Sequence, residues 1–199
     1  MKYLRHIAFS GLVLFCASTT TYAQEQRVNV RGTIAAFDGK VLTVKTKAGA
    51  DVAVDVPEAA TFGTTKPFTM ADIKPGMILG VTTIKRGDGA IVAIDVRPIP
   101  ATAPQGLSPW DLAPDATMTN ATLEATVASA GGQELTLNYK TGTIKALVVP
   151  ETAMSQAVPG TRDDLKVGET VFVFGRKDPA GKIAAARVQV SKDGIKPTQ

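Results

Sequence analysis

The sequence predicts an all-β protein: two five-stranded barrels in tandem, each with one short helix between its third and fourth strands. Three observations carry that expectation. Apolar residues recur at alternate positions, glycine-containing turns separate the runs, and a unit of about 70 residues is written twice.

The duplication shows in three blocks. "GKVLTVKTKAGADVAVDVPEAA" (39–60) lies over "GQELTLNYKTGTIKALVVPETA" (132–153) at an offset of 93. "TMADIKPG" (69–76) then lies over "TRDDLKVG" (161–168), and "GAIVAIDV" (89–96) over "GKIAAARV" (181–188), both at an offset of 92. Three blocks in one order, with a single-residue shift, define two copies.

Within the first copy, Val28, Val30, Gly32 and Ile34 share one face of a strand, Leu42 and Val44 that of a second, and Val52, Val54 and Val56 that of a third. The opposite faces carry Asn29, Arg31, Lys45, Asp51 and Asp55, as in a sheet with one wet side. Strands four (77–84) and five (90–96) are joined by the hairpin signal "KRGDG". The second copy predicts strands at 122–129, 134–140, 143–149, 169–175 and 182–190. There the alignment sets Lys145 against core-facing Val52, so the third strand is expected to be bent or shifted. After each third strand comes a corner: Pro57 or Pro150 ends the ladder by lacking an N–H, and Glu58 or Glu151 begins the exit loop. The helical signal is T-x-x-D, Thr69 with Asp72 and Thr161 with Asp164. The threonine hydroxyl would accept the third backbone N–H while the carboxylate reaches back to the threonine N–H. Gly76 and Gly168 supply a left-handed stop, and Ile73 or Leu165 would plug the barrel.

Strand, strand, strand, short helix, strand, strand is the order of an OB-like barrel. "RGTIAAFDGKVLTVKT", "DIKPGMILGV" and "DGAIVAIDV", with "LTLNY", "DLKVGETVFV" and "GKIAAARVQV" in the second copy, resemble an exported bacterial family of unknown function. Its pattern is roughly GxV…LTV…DLKxGxxV…DGxIxAxxV, and the resemblance implies OB-like barrels and export, with no catalytic residue. "SPWDLAPDATMTNAT" (108–122) resembles a subgroup in which some members carry a metal-transporter permease label. A chain with no apolar stretch long enough to span a membrane does not fit that label.

The implied organisation is a signal peptide (1–23), barrel one (24–97), a proline-rich linker (98–118), barrel two (119–191) and a flexible tail (192–199). Lys2 and Arg5 open the leader, Ile7 to Cys16 form its apolar core, and Thr21 and Ala23 stand where a signal peptidase reads small residues. Bulky Phe15 before Cys16 argues against a lipid anchor. The expected location is the periplasm, with cleavage after Ala23.

Cleavage would leave 176 residues and remove both His6 and Cys16, the only histidine and cysteine. The mature chain then has no Ser-His-Asp or Cys-His system and no disulfide, and it lacks the usual zinc, copper, haem and iron–sulfur ligands. It would carry 20 basic and 18 acidic residues, interspersed, with seven aromatics. A nucleic-acid binder would concentrate basic charge beside stacking rings. "DGK" (38–40), "GDG" (87–89) and "DD" (163–164) offer oxygen atoms but match no calcium loop. No catalytic residue, metal or cofactor is assigned.

The expectation is therefore an exported, non-enzymatic binding or scaffolding protein whose partner is a small ligand or a periplasmic protein. The ligand face expected for an OB-like barrel gathers Lys45, Lys47, Asp51 and Asp55 in one copy and Asn138, Lys140 and Lys145 in the other. A carboxylate-dependent glycan hydrolase using Asp51, Asp55, Glu58 or Glu151 is one alternative. A periplasmic oligonucleotide or oligosaccharide binder is another. In the linker, "PWDL" places Trp110 and Leu112 where a plain spacer would have no apolar side chains. With Val171 and Val173 facing inward, Phe172 and Phe174 face out and require a cover. All four are expected to pack between the domains, with Trp110 holding their orientation.

Overall fold

The computed structural model describes residues 25–198. The expected leader, its cleavage point and Cys16 lie outside the described residues, as does Gln199. Along the chain run β1 (Gln26–Phe37), β2 (Val41–Thr46), β3 (Asp51–Asp55), β4 (Thr61–Pro67), β5 (Ile78–Lys85) and β6 (Ile91–Pro98). These are followed by β7 (Gly106–Pro109), β8 (Thr117–Ser129), β9 (Gly132–Tyr139), β10 (Gly142–Pro159), β11 (Thr170–Lys177) and β12 (Ile183–Val190). The alternation of branched apolar and polar residues dictates this all-β result.

The first barrel closes from both ends of the chain. β1, β2 and β3 pair antiparallel in sequence, β12 lies parallel to β3, and β11 joins β12 back to β1. Thus three strands come from the first copy and two from the second. The middle of the chain shows the converse. β5 pairs with β8, β8 with β9, β9 with β10, β10 in parallel with β6, and β6 with β5 again. The boundaries 24–97 and 119–191 are therefore not those of the pairing. Both copies carry equivalent fourth and fifth strands, so the residue pattern cannot say which pair belongs with which set of three. The segments leaving the corners decide it. Rather than turning back, β4 runs on, parallel to β12 and antiparallel to the end of β10, and carries the chain out of the first barrel.

The buried side chains follow the exchange. Val30, Ile34, Leu42, Val44 and Val54 share one core with Leu165, Val171, Val173, Val188 and Val190. Leu79, Val81 and Val96 share the other with Leu123, Leu135, Leu137 and Val148. Each such side chain contributes roughly 1.5–3 kcal/mol of burial free energy, so neither core is sustained by one copy alone. Arg162, from the second copy, closes the foot of the first barrel. Its guanidinium donates to the carbonyls of Gly39 (2.7 Å), Val56 (3.2 Å) and Pro57 (3.0 Å) and lies over the Phe62 ring.

The helices are shorter than expected. No α-helix occurs among the described residues; each site is a single 3-10 turn, Met70–Asp72 and Arg162–Asp164. The carboxylates do reach back, Asp72 accepting from the Thr69 N–H at 2.9 Å and Asp164 from the Thr161 N–H at 2.8 Å. The threonine hydroxyls, however, donate to those same carboxylates. The Asp72 and Asp164 N–H groups go to the Thr69 and Thr161 carbonyls, which tightens the turn. Gly76 and Gly168 hold φ of +84° and +94°, the left-handed conformation expected of them. Leu165 is buried in the first core, and Ile73 packs against the second.

Lys145 is exposed, while Ala146 and Val148 point into the core, one position out of step with Val54 and Val56 in the alignment. The hairpin loops explain the shift. Lys45 pairs with Asp51 across a long turn, whereas Tyr139 pairs with Gly142 across two residues. At Pro150 the ladders do stop, the pairing with β9 ending at Val148 and that with β6 skipping from Val148 to Ala153, although β10 itself runs on to Pro159. The tail is anchored rather than free, since Lys192 and Ile195 form a bridge and Thr198 is buried.

Gly32 faces the first core where β1 crosses β2. A Cβ there would stand 2.1 Å from the Lys45 carbonyl oxygen, and backbone cannot yield as a flexible side chain would. Gly32→Ala is expected to destabilise the protein by about 1–3 kcal/mol, read as a shift of the urea midpoint at unchanged slope. An unshifted midpoint would show that the two strands are not in such close approach.

Candidate functional site

The outer face of the first barrel is built by alternation. Because Val30, Ile34, Val44, Val171 and Val173 turn inward, Arg31, Thr33, Lys45 and Phe172 turn out. The register sets Arg31 beside Phe172, and Thr33 between Thr170 and Lys45. The Arg31 guanidinium stacks on the Phe172 ring at 4.9 Å, and Phe172 is only 4% exposed.

Two segments that the barrel itself does not require are folded onto this face. The first is the proline-rich linker. Its second half forms β7, a short strand antiparallel to β8, and Trp110 then turns toward β1. Asp111 accepts from Asn29 Nδ2 at 3.0 Å and from Arg31 at 2.7 Å, while the Trp110 ring lies 5.9 Å from the Arg31 guanidinium. The indole Nε1 is buried without a hydrogen-bond partner, so Trp110 contributes its ring and Asp111 the directed bonds. The second segment is the C-terminal tail. Thr65 Oγ1 donates to the Ile195 carbonyl, and the Thr198 and Ser155 hydroxyls pair at 3.1 Å.

Between barrel, linker and tail lies a cleft of about 490 Å³. Leu112 and Pro197 form its apolar surface, with Phe172 beneath Arg31 at its floor; Arg31, Lys45, Lys47 and Lys196 give it positive charge, and among the described residues no carboxylate lines it. Arg31 is compensated by Asp111. Among the described residues, Lys45, Lys47 and Lys196 enter no ion pair of 4 Å or less.

The other residues expected on the ligand face are elsewhere. Asp51 and Asp55 line a neighbouring depression with Lys177 and Lys182, and Lys182 stands 3.3 Å from Asp55. Asn138 donates to Glu124 at 2.7 Å, and Lys145 pairs with Glu134 at 2.9 Å, both on the second set of strands. Lys140 is exposed in the β9–β10 turn. Of the acids considered for catalysis, Asp55 and Glu58 share a shallow hollow with Lys40 and Arg162; Asp51 and Glu151 do not line it. The candidate oxygen clusters serve turns. Asp38 and Asp88 accept backbone N–H groups of their own hairpins, and Asp164 caps its 3-10 turn. Among the described residues no three His, Cys, Asp or Glu side chains are grouped to hold a metal ion. Phe174 is half-buried beside Asn29. Alternation had already turned Arg31 outward, but no sequence signal announced Lys196 or Pro197, whose placement depends on where the tail is tied.

Compared with known proteins, the chain matches no family model, no curated protein and no solved structure. No helix among the described residues is long and apolar enough to cross a membrane.

The linker contact gives a direct test. Hydrogen bonding to Arg31, and then to Asn29, holds the Asp111 carboxyl below its usual range. A depressed pKa means the contact is present above the ordinary carboxyl value and lost as pH falls through the lower, folded value. Trp110 is the only tryptophan, so its fluorescence reports the contact alone. Emission is expected to hold from neutrality down past about pH 4 and to shift red only below that. Asp111→Ala should show the red shift, with easier acrylamide quenching, already at neutral pH. Identical spectra for variant and parent would show that the segment is not held by Asp111.

Proposed function

We propose that the protein is exported to the periplasm and acts there as a non-enzymatic binding or scaffolding protein. It is built as two OB-like barrels that exchange their fourth and fifth strands. The leader pattern supports export, and the repeated strand order supports the paired barrels. The carrying observation is the cleft over Phe172: a docked linker, an anchored tail and the barrel face meet there, and Lys45, Lys47 and Lys196 line it with no ion pair of 4 Å or less among the described residues. All three lysines are exposed, so an anion entering the cleft would meet them at little desolvation cost.

The test is native mass spectrometry of the protein taken from the periplasm without refolding. A retained small molecule or a stoichiometric protein partner is expected. A bare chain that turns over glycans, and loses that activity when Asp55 and Glu58 are replaced by Asn and Gln, would overturn the reading in favour of a hydrolase.

A further inference from the structure

We infer that the cleft between β1, β2, β11, the linker and the tail is a binding site for a small organic anion with an apolar body. The inference rests on the binding reading above and adds the chemical class. The volume is that of an ordinary small-ligand site, about 300–1,000 Å³. Half-buried Leu112 and Pro197 offer an apolar surface, while Lys45 and Lys47 at the end of β2 and Lys196 of the tail stand around it, on two separate segments of chain. A neutral apolar ligand would leave those amines unused, and a bare inorganic anion would leave Leu112 and Pro197 uncovered. One molecule with a carboxylate or phosphate head and an aliphatic or aromatic body satisfies both.

The positive field is local, which separates this ligand from a long polyanion. Arg31 is held by Asp111, Asp51 stands opposite Lys45 in the next strand, and the depression beyond it carries Asp51 and Asp55. An extended nucleic-acid strand leaving the cleft in that direction would meet carboxylates. A compact anion meets only the amines.

The tail makes the site conditional on its own anchoring. Lys196 and Pro197 line the cleft because Ile195 is tied to Thr65 before them, and Thr198 to Ser155 after them. Lys196 therefore contributes only while the tail is seated.

Decanoate, 1-decanol and acetate separate the body from the charge by calorimetric titration of the full mature chain at low salt. Decanoate is expected to bind one to one, at least about tenfold more tightly than decanol, with acetate below detection. The charge-removing variant Lys45→Gln/Lys47→Gln/Lys196→Gln should weaken decanoate at least about tenfold and leave decanol unchanged. Lys140→Gln/Lys145→Gln, on the second set of strands, should behave as the parent. Equal affinities for decanoate and decanol, unchanged binding by the triple variant, or no decanoate binding would each overturn the inference. A neutral or cationic molecule retained from the periplasm would overturn the ligand class while leaving the binding reading in place. Circular dichroism of each variant checks that a loss of binding is not a loss of fold.

Discussion

Expressed as separate chains, residues 25–98 and 106–198 will each fail to give a folded monomer, and mixed together they will rebuild one molecule. The first fragment contains β1–β3 without β11 and β12, and β5 and β6 without β8–β10. Val30, Ile34, Leu42, Val44 and Val54 would face water, as would Leu79, Val81 and Val96. Units of this size bury only about 60% of their chain surface even when complete, so a half-core leaves no margin. The segment between the fragments, 99–105, contributes no strand, and its removal breaks no ladder. Size exclusion and denaturant unfolding of each fragment, and of the equimolar mixture, provide the measurement. The mixture should unfold cooperatively as a one-to-one complex. A fragment that is monomeric, folded and cooperative by itself would mean that each copy closes its own barrel and the exchange is not obligatory. A fragment paired with itself would instead reproduce the exchange between two identical chains.

That experiment also marks where the sequence stops being informative. Alternation at Val28–Ile34 or Val171–Phe174 shows which side chain faces inward, because the period of a strand is local. T-x-x-D and the glycine after it show a capped turn for the same reason. Pairing between copies is different. β12 lies beside β3 across roughly 130 residues of chain, and any fifth strand of the same pattern would fit there equally well. The choice is made by β4 and the end of β10, which contain Phe62, Thr64, Thr65 and Val158 but no strong strand alternation. The candidate site divides along the same line. Lys45, Lys47, Leu112 and Phe172 were legible as outward or displaced apolar residues, each from its own neighbours. Their convergence was not, because it depends on the linker meeting β1 through Asp111 and on a tail whose only signals are single hydroxyls.

Arg97→Met is expected to be among the most destabilising single changes in the protein. Asp95 lies on the outside of β6, yet its side chain is 1% exposed, covered by β5, β8 and the tail. Its Oδ2 accepts from the Arg97 guanidinium and from the Thr82 hydroxyl at 3.1 Å, and the Arg97 guanidinium also contacts Met118 Sδ. Its Oδ1 is buried with no hydrogen-bond partner, so the carboxylate depends on few contacts. Burial raises the Asp95 carboxyl above its ordinary value, while Arg97, then Thr198 and Thr82, act against the rise. Removing the guanidinium leaves a buried carboxyl with two hydroxyls for company, a loss of about 3–5 kcal/mol by comparison with other broken buried pairs. The double change Asp95→Leu/Arg97→Met removes both charges and should recover most of that loss, because desolvation of the pair is no longer incurred. pH supplies an independent reading. A folded-state value raised above the unfolded 3.8 gives a contribution fully present below pH 3.8 and lost as pH rises through the folded value. In Arg97→Met, stability from Asp95 should therefore fall on raising the pH from about 4, and the double variant should lack that slope. Denaturant midpoints across this range, for the parent and both variants, decide the matter. A single variant within about 1 kcal/mol of the parent would mean that water reaches Asp95 and that β5, β8 and the tail do not seal this pair.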